Sequence, residues 1–209
     1  IDGIYYFQIN MQHFQLIDQL TDIYSLLEGR SVTSKQIVDL LNKKFRKATK
    51  TEKKVLIAKD ILLNLKLKKY IANSGAYFGN KFDLSLGGEE DLQKNFNKLQ
   101  NCFCCQLGAC LLSSTKFQNK LTLNDLGGSA ASSWDQLLKI FTPKEMAIME
   151  YCFEGWHVGD RVAEDSFNFS LPDGIKQECH DFYQTYSNDT DRMKAICNNI
   201  IKNKGKITI

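Results

Sequence analysis

Proline and glycine are scarce, with two and thirteen in 209 residues. A sandwich or barrel that turns tightly every few residues needs more of both, so that class is excluded. Long apolar runs are absent as well. The most apolar fragment, CFCCQLGACLL, is eleven residues long, against the roughly 18 that a membrane span requires. Neither Gly87-Gly88 nor Gly127-Gly128-Ser129 is followed by the Lys-Ser/Thr of a phosphate-binding loop. The chain opens at Ile1 without methionine, charged leader or small-residue cleavage site, which suggests an excised piece and not a secretory signal.

What is present describes a folded chain. Hydrophobic residues make up 43% and charged residues 24%, which excludes global disorder. The seven cysteines are odd in number, and Cys102, Cys104, Cys105 and Cys110 crowd together. A disulfide framework is normally even and dispersed, so reduced thiols are expected. C-x-C-C-x₄-C within a helical stripe also lacks the paired C-x-x-C geometry of tetrahedral zinc. Buried structural thiols are the expectation, with no metal and no cofactor.

Charge is unevenly placed. Residues 1–88 carry 14 Lys/Arg against 8 Asp/Glu, and residues 89–209 carry 13 against 16. The basic excess peaks in KKFRKATKTEKK, residues 43–54. This asymmetry suggests two halves with different partners.

Periodicity and capping supply the elements. MQHFQLIDQLTDIYSLLE is an amphipathic pattern stopped by Gly29. Thr33 with Gln36, and Thr49 with Glu52, match capping boxes, in which side chains satisfy the free N–H groups of a helix start. The second box opens a helix with Val55, Ala58, Ile61, Leu62 and Leu65 along one side. YIANSG, AYFGN and KFDLSLGG read as strand, loop and strand, and GGEE marks a boundary. Leu92, Phe96, Leu99, Phe103 and Leu107 form a helical stripe from Asp91 to Leu112. Ser133 with Gln136, and Thr142-Pro143 with Glu145, begin two more helices. IKQECHDFYQTY and DRMKAICNNIIKN are helical, KGKITI is a terminal strand, and residues 155–174 form an irregular insertion or edge strand.

The predicted fold is mainly α with short β hairpins: two winged-helix modules in tandem. A basic module occupies residues 1–88, and an acidic one occupies 89–209 with the insertion near 155–174.

Two surfaces are candidates for binding. Lys43, Lys44, Arg46, Lys47, Lys50, Lys53, Lys54 and Lys59 could meet phosphates or an acidic partner. The plainer reading is a solvated helix face, and the preponderance of Lys over Arg argues against bidentate base reading. Leu56, Leu63 and Leu67 lie roughly opposite the first stripe of their helix. A groove-reading face would be polar there, so this second stripe points to protein on the outer side, either the other half of the chain or a partner, or to an interior helix packed from both sides. Trp156 is a further candidate partner anchor, with Trp134, Tyr183 and Tyr186 behind it.

Catalytic readings fare worse. Adjacent Cys179 and His180 diverge by about 100° on a helix, and Asp160, Glu164 and Asp165 fall in a polar loop where carboxylates are usually solvated. No enzyme is expected.

The SVTSKQIVDLLNKKF and KTEKKVLIAKDILLNLK helices, the YIANSGAYFGNKFDLS wing and the terminal IIKNKGKITI carry a resemblance. In module order they resemble the C-terminal half of the middle, replication-protein-A-like subunit of the CST telomere complex. The Lys/Asn/Gln-rich, low-proline composition is similar to ciliate proteins, in which such a subunit travels with telomerase. The resemblance implies a nuclear, non-catalytic scaffold. Its winged helices would dock the large complex subunit or the polymerase alpha–primase machinery, and an OB-fold upstream would touch single-stranded DNA. This sequence holds no OB-fold, and residues 155–174 depart from the two-module template. Two other readings stay open: a DNA-binding winged-helix regulator, and a docking subunit of a membrane-traffic or ubiquitin-ligase assembly.

Overall fold

The computed structural model describes residues 43–75, 78–79, 102–118, 136–155 and 162–208. It divides into two compact units, Ile1–Lys47 and Ala48–Ile209. In the first, residues 43–47 are helical and Phe45 is buried.

The second unit is mainly helical with one small sheet. Its elements are α1 (Lys50–Lys66), β1 (Tyr70–Ala72), β2 (Phe78–Gly79), β3 (Cys102–Cys104), α2 (Gln106–Gln118), α3 (Pro143–Glu154), α4 (Val162–Phe167), α5 (Asp173–Thr185) and α6 (Asp189–Lys202). The capping boxes expected at Thr49/Glu52 and Thr142/Glu145 both form, with Pro143 in the first turn of α3. Asn188 caps α6 through the Asp191 N–H. Each cap satisfies donors that would otherwise face water unpaired, typically worth about 1 kcal/mol.

The core lies where α1, α2, α3 and α6 pack on one another, with α4 and α5 against α3. α2 is buried on every side from Gln106 to Ser114, so the helical part of the sequence's most apolar fragment belongs to the core. α1 presents Ile57, Ala58 and Ile61, and α6 presents Met193, Ile196, Cys197 and Ile200. Each fully buried isoleucine contributes about 2–3 kcal/mol relative to exposure.

Several expectations are corrected. The compact units divide the chain after Lys47, and α1 and β1 pack against elements drawn from beyond residue 100. Cys102–Cys104 is a strand and not part of a helical stripe, and it lies in the middle of the order β1-β3-β2. β1 runs parallel to β3 (Tyr70↔Cys102, Ile71↔Phe103, Ala72↔Cys104), and β2 runs antiparallel to it (Phe78↔Cys104, Gly79↔Phe103). The described partner of β1 is therefore not the next strand in sequence. The expected hairpin mate at residues 82–86, the helices before residue 43, the capping box at Thr33 and Trp134 lie outside the described residues. Residues 162–167 of the expected irregular insertion are helix α4. The terminal KGKITI is not a strand among its described residues. It folds back along α6, where the Asn199 amide brackets the Thr208 backbone and the Asn203 amide donates to the Thr208 hydroxyl at 2.6 Å.

Candidate functional site

The basic segment spans both units, and each part has its own setting. In the first, Lys43, Arg46 and Lys47 are exposed and Lys44 is half-buried with an interaction of its own. In the second, Lys50 is exposed, while Lys53 and Lys59 are half-buried and already engaged within the protein. Lys54 departs from the expected solvated face. It is 8% exposed, ion-paired to Glu145 and 5.7 Å from the centre of the Phe141 ring. Glu145 uses both oxygens, one for Lys54 and the other for the Thr142 N–H at 2.9 Å. An ammonium this enclosed needs such a partner, so Lys54 joins the starts of α1 and α3 and does not face a phosphate.

The leucine stripe is also placed. Leu56 is buried, and Leu63 and Leu67 are half-buried. α1 packs against α6, α2 and β1. Its inward face even includes Asp60, at 0% exposure, and Asn64, whose amide donates to the Asp60 side chain and carbonyl at 2.8 Å each. The described neighbours of this helix are thus other elements of its own chain. Trp156 lies outside the described residues.

All seven cysteines are buried. Burial pushes the Cys102 thiol up to about 11 and those of Cys105 and Cys197 up to about 12. It also raises Cys104 and Cys110 strongly. Cys152 is raised first by its contact with Cys179 and then by burial. Such thiols stay protonated and make poor nucleophiles and poor ligands. Among the described residues no group of three His, Cys, Asp or Glu could hold a metal, and no helix is long and apolar enough to cross a membrane.

Glu164 was expected in solvent but is 3% exposed. Burial alone would raise its carboxyl. The Leu171 N–H, the Tyr151 hydroxyl at 2.7 Å and Lys176 at 3.3 Å instead hold it below the usual range. This buried tie joins α3, α4 and α5, and only the polarity of Glu164 and Lys176 hinted at it in the sequence. Tyr183, one of the expected anchors, packs under Arg192, whose guanidinium carbon lies 4.1 Å from the ring centre.

The second unit has two chemically different ends. At one, the starts of α1 and α3 meet through Lys54–Glu145, and Gly205, just past α6, packs on Thr51. Lys50, Lys144, Lys202, Lys204 and Lys206 are exposed there. At the other, the loop after β1 donates to two carboxylates, Ser74 N–H to Asp189 at 2.6 Å and Gly75 N–H to Glu154 at 2.7 Å. Burial, opposed by the Gly75 N–H, raises Glu154 from the usual 4.5 to about 7.

Searches against protein-family models, curated proteins and solved structures return no match for this chain.

Proposed function

We propose that this chain is a non-catalytic interaction module of a nucleic-acid-handling assembly, a nuclear scaffold that docks protein subunits and touches DNA weakly through lysines. The observation that carries the reading is the burial of α1. A recognition helix must offer a polar face to the major groove. Leu56, Ile57, Ala58, Ile61 and Asn64 of α1 are buried, and the helix packs against α6, α2 and β1, which favours the scaffold over a base-reading regulator. Its exposed Lys50 can still attract phosphates without selecting a sequence.

The finer reading, tandem winged helices like those of the CST middle subunit docking a large subunit or polymerase alpha–primase, rests on element order. A helix at 43–47, α1 and β1 succeed one another as in a first module, and α5 and α6 stand near the end of a second. Nothing observed favours the membrane-traffic or ubiquitin-ligase alternative.

A salt-titrated DNA-binding assay beside affinity capture tests the proposal. The expected result is weak, sequence-blind binding that Lys50→Glu with Lys53→Glu abolishes, while capture of the same protein partner survives. Nanomolar discrimination between duplex sequences would overturn it in favour of the regulator.

A further inference from the structure

The lysines most available for a polyanion are not confined to the basic segment that the sequence advertises. Three helix ends converge on one face of the unit. Lys54 ties the first turn of α1 to the first turn of α3 through Glu145. Gly205 ties the end of α6 to the same place. With φ at +88°, a Cβ built on it would collide with the Thr51 carbonyl oxygen and lie 2.6 Å from Thr51 Cγ2. Lys50 adjoins Thr51, while Lys204 and Lys206 flank Gly205. Lys202 is three positions earlier, and Lys144 adjoins Glu145. All five are exposed and make no ion pair among the described residues.

The two carboxylates described at this face are already bonded within the chain. Glu52 bends back onto the Thr49 N–H and hydroxyl, both at 2.8 Å, and Glu145 is divided between Thr142 and Lys54. The turn bearing Lys204 and Lys206 is held from both sides. Gly205 N–H donates to Ile200 O at 2.7 Å and Lys204 N–H to Ile201 O at 3.1 Å, and beyond it Asn199 and Asn203 hold Thr208. The charges therefore stand on a fixed backbone, and little ordering is left for a ligand to impose.

We infer that Lys50, Lys144, Lys204 and Lys206 form a single surface for the phosphate backbone of nucleic acid. This inference rests on the proposed function and extends it to residues near the C-terminus. Point charges without arginine suit phosphates read one by one, not paired acceptors on bases. A protein partner would need an apolar centre. The one large apolar side chain exposed among the described residues, Phe103 at 43%, lies on the sheet beyond the other end of α1.

The test measures binding of the full chain to a fluorescent 20-base-pair duplex between about 50 and 200 mM salt, where each phosphate contact adds about 0.9 to the log–log slope. Lys204→Glu with Lys206→Glu is expected to weaken binding at least tenfold and to lower the slope by about two. Lys204→Gly with Lys206→Ser, which removes the charges and suits the positive φ at 204, should act in the same direction. The charge-matched control, Lys66→Glu with Lys194→Glu at the far end, should change affinity less than threefold. Equal loss in the control would overturn the inference, because net charge would then explain binding. No effect from the C-terminal pair, with Lys50→Glu/Lys53→Glu still abolishing binding, would overturn it and leave the proposed function standing. Binding of polyglutamate but not the duplex would assign the face to an acidic protein and also overturn it. Absence of any duplex binding would remove the nucleic-acid part of both readings.

Discussion

The two ends of the unit formed by residues 48–209 use the same side-chain types in opposite ways. At the end where α1 and α3 begin, carboxylates are spent internally as caps and as the partner of Lys54, and lysines are left outside. At the end where α6 begins, carboxylates hold the loop after β1, and Arg192 is drawn in over Tyr183, bonded to Asp189 and to the Tyr186 carbonyl at 3.2 Å. Charge composition alone does not separate these ends. What separates them is which member of each pair the backbone has already engaged, and that decides which charges remain for a partner.

The largest effect on this comparison should come from Lys54→Ala. It leaves a Glu145 oxygen unpaired at a site only 20% exposed, and the expected cost is about 2 kcal/mol in urea unfolding. Lys50→Ala, four residues away on the surface, should cost less than about 0.5 kcal/mol. Equal costs would erase the distinction between the internal and the external lysine.

The opposite end should respond to pH. Glu154 titrates at about 7 in the folded protein, above its ordinary 4.5. The neutral acid is therefore favoured by folding, so stability is complete below the unfolded value and is lost as pH rises through about 7. The loss should approach about 2 kcal/mol by about pH 8, allowing for partial solvation. Glu154→Gln keeps an acceptor for the Gly75 N–H and should flatten the profile. An unchanged slope in that variant would assign the pH dependence elsewhere.

The smallest effect concerns a device common to both ends. α1 and α6 each close with a lysine at positive φ, Lys68 at 55° and Lys204 at 52°. In α1, the Lys69 N–H then reaches Asn64 O at 2.9 Å. Glycine tolerates this conformation better, so Lys68→Gly should stabilise by about 1 kcal/mol, or ~3 °C in Tm. A fall in Tm would mean that the Lys68 side chain contributes more than its backbone costs.

Local chemistry was legible in the sequence, and long-range chemistry was not. The caps at Thr49 and Thr142, and helices α5 and α6, follow from residues within a few positions of one another. β3 was hidden because three residues are too few for strand alternation to outweigh a helical stripe, and its parallel partner lies at Tyr70–Ala72. Lys54 looked like one more solvated lysine because Glu145 is 91 positions away. Glu164 looked solvated because its partners, though near in sequence, are contributed by other elements, α3, α5 and Leu171. The exposed face of Lys50 was legible, but its continuation through Lys204 and Lys206 depends on the packing of Gly205 on Thr51.

The central claim is that the buried face of α1 is occupied by its own chain and that nucleic acid meets the helix at its first turn. Amide and leucine-methyl chemical shifts of the labelled protein, followed while duplex DNA is added, test this directly. The account predicts shifts at Lys50–Lys53 and Lys202–Lys206, with Leu56 and Ile57–Asn64 unmoved. Shifts running along α1 through Leu56 and Leu63, with the C-terminal lysines silent, would contradict it.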